Sequence, residues 1–412
     1  MEATVLEQKK DRTYTQPVLI TSYQPPVDKR VKQVKGIRKR YLRFRIKMHI
    51  LLLALKDYKS ISKAFKVTSQ LLLLSKRAYG GNGRRKLFRF GDKYYSDYFM
   101  PGYPSKAYDE YIEKKFGNLL PLKKKTNALT FIIFGVTTKC PLHCEHCFEW
   151  ENLNKKETFS LEELKVIVKR FQEDGICQFH LSGGEPMVRI KDMLQLIKTA
   201  DKASEFWIYT SGFNFTRENA KSLKAVGATG IVVSLDHFEP EKHNSFRGLD
   251  NAFEWAVQAI GNAKAEGLVV AVSLCVTRSF VSWSNLLQYV EFVKSIGVPF
   301  VQILEPKAVG HYKGKQISLT SDRLRLLEKL YLAMNFDQKY KDYPTIIYHG
   351  YHQRRIGCFS GGYDNMYIDS AGNVDACPFC QTKLFNIKDL LESDRPLSEN
   401  YINLRCPEFG KM

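Results

Sequence analysis

From residue 129 to about 304 the chain alternates two kinds of hydrophobic pattern. Short, nearly continuous apolar runs occur at 129–137, 176–181, 205–210, 230–235, 268–276 and 299–304. Each reads as a strand buried on both faces. Between them lie stretches near 161–174, 190–202, 216–225, 251–266 and 284–295, where apolar residues return every three or four positions, the period of a helix packed on one side. Six strands alternating with helices predict a parallel α/β barrel or a doubly wound sheet. The polar motifs sit just after strand ends, the ligand-binding face of such folds.

The flanking regions follow other patterns. Residues 1–35 read as a polar arm broken at Pro25 and Pro26. Residues 36–79 read as helix, with Ile46, Ile50, Ala54, Tyr58, Ile61 and Phe65 recurring at helical spacing among Lys and Arg, and a glycine-rich stretch at 80–83 ends it. Segments 87–90 and 94–99 around Gly91 and Asp92 predict a hairpin, and Ser105 is placed to cap a short helix reaching about Phe116. One more helix is expected after 321, then a cysteine-bearing segment from 345 onwards. The organisation is therefore a basic extension (1–127), a core (128–320), and a linker helix with a small terminal unit (321–412).

Charge sharpens this division. Residues 1–127 carry 30 Lys and Arg against 10 Asp and Glu, whereas the remaining residues carry 33 against 33, so the whole net charge of +20 lies in the extension. Such a region attracts anionic surfaces: nucleic acid, acidic headgroups or an acidic peptide. Residues 1–16 lack the apolar segment of a secretory signal, and the longest apolar run, 48–55, is too short to cross a bilayer. Nine cysteines, an odd number and mostly in closely spaced sets, favour metal ligation over disulfides and a reducing cytoplasm.

Cys140, Cys144 and Cys147 form C-x3-C-x2-C directly after the first strand of the core. Three thiolates on one tight loop can hold three irons of a 4Fe–4S cluster and leave the fourth open to a small molecule. A zinc knuckle completed by His143 or His146 is the alternative, although zinc sites favour C-x2-C pairs. The chain here resembles the radical S-adenosylmethionine (SAM) superfamily over roughly 129–310. The three-cysteine spacing is that family's signature, and His146 fills its commonly aromatic position before the last cysteine. Gly183, Gly184, Glu185 and Pro186 match the family's turn after the second strand, which implies SAM binding there, with Glu185 and backbone carbonyls taking the ammonium donors. The resemblance extends to Thr210 and Ser211 after the third strand, to Ser234 and Asp236 after the fourth, and to His243 and Arg247. It implies SAM contacts from Thr210, Ser211, Ser234, Asp236 and Arg247, with a loop-anchoring role as the alternative for Asp236 and His243. Cys177 and Cys275 lie in apolar strands and read as buried cysteines. The implied fold is a partial (β/α)6 barrel.

Cys358, Cys377, Cys380 and Cys406 form a second set around a hairpin signal, 366–369 and 373–376 flanking Ser370, Ala371 and Gly372. This resembles the C-terminal auxiliary-cluster domains of the same superfamily, called SPASM or twitch. It implies one further 4Fe–4S cluster with full cysteine ligation; a zinc site is the alternative. The family resemblance implies reductive cleavage of SAM to a 5′-deoxyadenosyl radical, hydrogen-atom abstraction from a substrate, and an electron donor such as flavodoxin or ferredoxin. Oxidative modification or crosslinking of a peptide or protein is the leading expectation for the substrate. A lipid or isoprenoid, RNA and a non-enzymatic zinc scaffold are the alternatives. The basic segment 36–79 could hold a leader peptide, lie on an acidic membrane through Ile50, Ala54, Tyr58, Ile61 and Phe65, or bind RNA through residues 38–45 with Tyr41 and Phe44 interleaved. It could equally pack on the barrel and present its charges to water.

Overall fold

The structure is a computed structural model that describes residues 31–78, 86–121, 129–358 and 364–391. The polar arm, the glycine-rich stretch at 80–83 and Cys406 lie outside these residues.

In chain order the elements are β1 (Lys32–Gln33), α1 (Gly36–Tyr58), α2 (Ile61–Ala78), β2 (Phe88–Phe90), β3 (Lys93–Tyr95), α3 (Lys106–Leu119), β4 (Phe131–Thr137), α4 (Leu161–Glu173), β5 (Gln178–Gly183), α5 (Ile190–Thr199), β6 (Glu205–Thr210), α6 (Arg217–Val226), β7 (Gly230–Ser234), α7 (Pro240–Arg247) and α8 (Ala252–Ala265). There follow β8 (Val269–Cys275), α9 (Trp283–Ser295), β9 (Phe300–Leu304), α10 (Ser321–Phe336), β10 (Thr345–Ile347), α11 (His349–Ile356), β11 (Asn365–Ile368), β12 (Asn373–Asp375), β13 (Phe385–Asn386) and α12 (Ile387–Leu391).

Strands β4 to β9 are the six expected from the pattern, paired in parallel and in sequence order. Serine and threonine start several helices: Ser160 forms a capping box with Glu163, and Ser105, Thr216 and Ser282 each accept a backbone N–H of the first turn. Four strands extend the sheet beyond these six, with β12 and β13 following β11 in antiparallel pairing. β10 adds a parallel strand beside β9, and β11 pairs in parallel with β4, Asn365 opposite Phe131. The C-terminal hairpin β11–β12 is therefore hydrogen-bonded into the sheet of the core. A three-residue strand such as β10 is too short to show a period of its own.

Period two along each strand sorts the side chains. Ile132, Phe134, Phe179, Leu181, Ile208, Ile231, Val233, Val270, Val272 and Val301 face the helices and form the main core. The opposite face splits in two layers. Near the strand starts, Trp207, Val232, Val269, Ala271 and Phe300 pack against Phe88, Tyr95 and Tyr98 from the N-terminal hairpin β2–β3 and the loop after it. Nearer the strand ends, Ile133, Ser182, Tyr209, Ser234, Ser273 and Gln302 line a cavity. The N-terminal segment closes the end near the strand starts, where among the apolar side chains buried Gln178 donates to Tyr98 O and buried Glu205 accepts from Tyr95 Oη and Gly102 N. Lys86 ties that segment down, its ammonium donating to the carbonyls of Met334, Tyr340, Tyr343 and Pro344 at 2.6–3.1 Å.

The single helix expected over 36–79 is two helices. Lys59 takes a left-handed conformation (φ 49°) and ends α1, and α2 starts at Ile61. The break rotates the apolar stripe out of register. Ile50 and Ala54 are buried in a separate N-terminal core with α2 and α3, and Tyr58 is half-buried, donating to Phe116 O and Leu120 O. Ile61 and Phe65 stay exposed. The sequence pattern read these six residues as one face because helical periodicity does not register a two-residue interruption.

Candidate active site

The three cysteines of the first set stand on the loop that leaves β4, and all three line the cavity, whose volume is about 250 Å³. Cys140 and Cys144 are buried and Cys147 is partly so. The loop is held by backbone groups and by residues distant in sequence. Asn154, in left-handed conformation, brackets Cys140, accepting from its N–H at 3.2 Å and donating to its carbonyl at 3.1 Å. His143 N and Glu145 N donate to Arg247 O and Phe246 O, both at 3.1 Å. His311 donates from Nδ1 to Cys144 O and from its backbone N to Cys147 O, each at 2.9 Å, and its ring stacks on Trp150 at 3.9 Å. His146 stacks on Phe246 at 4.7 Å; burial pushes its pKa down to about 4 and keeps it neutral.

The glycine turn after β5 is pressed onto the stem of this loop. Gly184 N donates to Thr137 O at 2.8 Å and Glu185 N to Lys139 O at 2.7 Å. A Cβ on Gly184 would come within 2.2 Å of Lys139 O, and on Gly183 (φ 117°) within 2.5 Å of Thr137 O. Glycine is required here so that two backbones can touch, which locks the turn and the cysteine loop together.

Glu185 lines the cavity, but its carboxylate is already engaged. Oε1 accepts from Met187 N (3.1 Å) and Thr210 Oγ1 (2.8 Å), and Oε2 from Ser211 N (2.7 Å) and Ser211 Oγ (2.6 Å). These four donors match the number of lone-pair positions of a carboxylate. Glu185 therefore pins the end of β6 to the turn after β5, and Thr210 and Ser211, also on the cavity wall, are its partners. Burial pushes the Glu185 carboxyl up in pKa, and the four donors oppose this.

Ser234 and Arg247 line the same cavity; Asp236 and Pro186 do not. Pro186 is buried as the first residue of a short 3-10 turn. Asp236 lies behind Arg247, accepting from Arg247 Nε at 2.6 Å and from Cys275 N at 2.8 Å, while its own N–H donates to His243 Nδ1 at 3.1 Å. Arg247 in turn reaches Cys144 Sγ at 3.6 Å from Nη1. Burial drives the thiol pKa of all three cysteines upward, and at Cys144 the Arg247 charge opposes that shift.

Cys140, Cys144 and Cys147 all line the cavity, and three thiols from one loop are a donor set that fits a 4Fe–4S cluster with one iron left open. The second set is less gathered. Cys377 lines the same cavity, and Cys380 N closes a turn onto Cys377 O at 3.1 Å. Phe379 packs edge-on against Phe148, the residue after Cys147, at 6.1 Å, and Gln381 donates to Phe148 O. Cys358 lies two residues beyond the end of α11, its Sγ 3.7 Å from Gln353 Nε2. Cys177 and Cys275 are buried, as expected.

A family model described as the radical SAM superfamily matches residues 135–293. The chain carries a radical SAM domain. Members of this superfamily are enzymes that use a 4Fe–4S cluster and SAM. The chain is similar to GTP 3′,8-cyclase of Aquifex aeolicus, 26% identical over 216 residues that cover 50% of this chain and 67% of that protein. It is 32% identical to Fe-coproporphyrin III synthase of Methanosarcina barkeri over 36% of this chain and 37% of that one. It is 25% identical to PqqA peptide cyclase of Streptomyces rochei over 65% and 74%. The shared segments thus span between 37% and 74% of these relatives' own lengths. The solved structure of Streptococcus suis SuiB bound to precursor peptide SuiA aligns with 87% of this chain and 82% of its own, with a TM-score of 0.54 and 15% identity, a likeness of fold. The partial barrel expected of the radical SAM domain is present.

Sequence reading missed several residues that build this site. Asn154 and His311 hold the cysteine loop but belong to no motif, and His311 lies 167 residues beyond Cys144. Glu149 is a third case. Buried, it accepts from Tyr367 Oη, Ser370 N and Ser370 Oγ, and so joins the cysteine loop to the C-terminal hairpin. Only its position two residues after Cys147 could have drawn attention to it.

Proposed function

We propose that this protein holds a 4Fe–4S cluster on Cys140, Cys144 and Cys147, cleaves SAM reductively in the adjoining cavity, and abstracts a hydrogen atom from a substrate bound there. The observation that carries this reading is the mutual backbone clasp of the cysteine loop and the Gly183–Gly184–Glu185 turn on one cavity wall. A reduced cluster would supply the electron that splits SAM into methionine and a 5′-deoxyadenosyl radical. The chain's own residues bind and orient. Ser182, Ser234 and Arg247 present hydroxyl and guanidinium groups to the cavity, and Leu142, Phe131, Ile133 and Phe148 exclude water from it. Arg247 also places a positive charge beside Cys144, which favours the thiolate form.

Peptide or protein modification is the substrate class the comparisons favour. The peptide cyclase match covers more of this chain than the nucleotide or porphyrin enzymes do, and the cavity wall beside Cys377 joins the core to the C-terminal hairpin. Cys358, Cys377, Cys380 and Cys406 would hold a second cluster, which would accept the electron given up by the substrate radical. A flavodoxin or ferredoxin would reduce the first cluster.

Anaerobic reconstitution followed by product analysis tests the reading. The wild-type chain should bind about eight irons, four per cluster, and release 5′-deoxyadenosine with dithionite and SAM. Release of 5′-deoxyadenosine by the Cys140→Ala/Cys144→Ala/Cys147→Ala variant would overturn the assignment. About one zinc per chain with half the iron would assign the second set to zinc.

A further inference from the structure

Among the described residues most exposed large hydrophobic side chains lie on α1 and α2. Ile37, Tyr41, Phe44, Met48 and Leu52 on α1 are 40–82% exposed, and Ile61 and Phe65 at the start of α2 are 71% and 55% exposed. The five on α1 are spaced four, three, four and four residues apart. At 3.6 residues per turn they share an arc of about 80° and a stripe of about 22 Å. This face is opposite the one that Leu42, Ile50, Leu53 and Ala54 bury in the N-terminal core. Helix α1 is therefore apolar on two sides.

Basic residues flank the outward stripe. Arg38 and Arg45 project along one border, and Arg40 and Lys47 along the other, all exposed. Together α1 and α2 contain eleven Lys and Arg and one acidic residue, Asp57. We propose that the outward face of α1, with the start of α2, seats the protein on an anionic lipid bilayer. An apolar strip bordered by cationic rows is the form of a helix lying in the headgroup plane, its strip sunk among the acyl chains and its Lys and Arg at the phosphates.

The other occupants fit less well. RNA would engage the arginines, Tyr41 and Phe44, but gives no reason for exposing Ile37, Met48 and Leu52. A second copy docked about a two-fold axis would bring the basic rows of both copies together. Residues 1–30 carry five Lys and Arg against four Asp and Glu, so they offer no acidic counterpart. Among the described residues no helix is long and apolar enough to cross a membrane, so the contact is peripheral.

Vesicle flotation of the full chain tests the proposal, with phosphatidylcholine alone and with phosphatidylserine added, at low and moderate salt. The protein should float with the anionic vesicles, and less so at the higher salt. Tyr41→Ser/Phe44→Ser/Leu52→Ser should weaken binding at least tenfold. Arg38→Gln/Arg40→Gln/Arg45→Gln/Lys47→Gln should weaken it and flatten its salt dependence. Both variants should keep the wild-type melting temperature and yield of 5′-deoxyadenosine, because the positions are exposed and far from the cavity in the fold. The proposal stands apart from the radical chemistry, since flotation needs no SAM. Failure to float with anionic vesicles overturns it, as does unchanged flotation of the triple serine variant. A concentration-dependent dimer that the serine variant abolishes, or RNA binding without flotation, would assign the face to that partner instead.

Discussion

The two cysteine sets are built differently. On the first loop Cys140 and Cys144 are buried and Cys147 partly so, and the loop is held from five directions, by Asn154, by the backbone of Phe246 and Arg247, by His311, by the glycine turn and by the Arg247 guanidinium. Cys358, Cys377 and Cys380 are only partly buried. Their contacts include a turn from Cys380 N to Cys377 O, a long amide contact from Gln353 to Cys358 Sγ and the Phe379–Phe148 aromatic pair. The contrast is that between a site organised before any ligand arrives and one that a ligand would organise. Metal binding to the second set should therefore be coupled more strongly to local folding.

The sharpest test of the contrast is loss of function. Cys140→Ala/Cys144→Ala/Cys147→Ala should abolish 5′-deoxyadenosine formation and remove about four irons, yet leave the melting temperature of the metal-free protein within a few degrees, because backbone bonds hold the loop. Cys377→Ala/Cys380→Ala should also remove about four irons but preserve SAM cleavage. Its metal-loaded form should lose protease resistance around residues 364–391, as mapped by limited proteolysis. Equal protease resistance of loaded and unloaded wild type in that segment would erase the distinction.

Glu185→Ala probes the preorganised side. With the carboxylate gone, the buried Met187 and Ser211 N–H groups lose their acceptor, at a cost of about 3 kcal/mol in urea unfolding. A drop in SAM affinity without loss of stability would show that Glu185 contacts SAM directly. Acid should weaken the fold as well. Burial lowers the pKa of His180 and His243 to about 3 and of His146 and His349 to about 4. The unfolded chain takes up these protons first as pH falls below about 6.5, so stability is full above that value and declines toward pH 4. Four such groups give a slope of up to about 5 kcal/mol per pH unit. The denaturant midpoint measured from pH 7 to pH 4 reads it, and His180→Phe should reduce the slope by about a quarter. The smallest effect is expected for His311→Ala, about 1 kcal/mol, through its one side-chain bond to the loop and its stacking on Trp150.

Much of the barrel was legible in the chain. Strands β4 to β9 and helices α4, α5, α6, α8 and α9 begin and end within a few residues of the expected runs, because two-sided burial and one-sided burial leave different periods, whereas the eight-residue α7 was not read from the pattern. The cysteines and the glycine turn were legible because their chemistry is local: ligand spacing on one loop, and backbone contact that only glycine permits. What tertiary structure alone decided is of another kind. It placed Asn154, His311 and Glu149 on the cysteine loop across separations that no local pattern encodes. It surrounded the Glu185 carboxylate with donors, three of them from the next strand end, and set Asp236 behind Arg247, bonds that no local pattern encodes. It brought β11 beside β4, making a hairpin read as a separate unit part of the core sheet. In the N-terminal region it chose which of the two apolar faces of α1 is buried. Both faces have helical spacing, and only the packing of α2 and α3 against Leu42, Ile50, Leu53 and Ala54 decides which of them water sees.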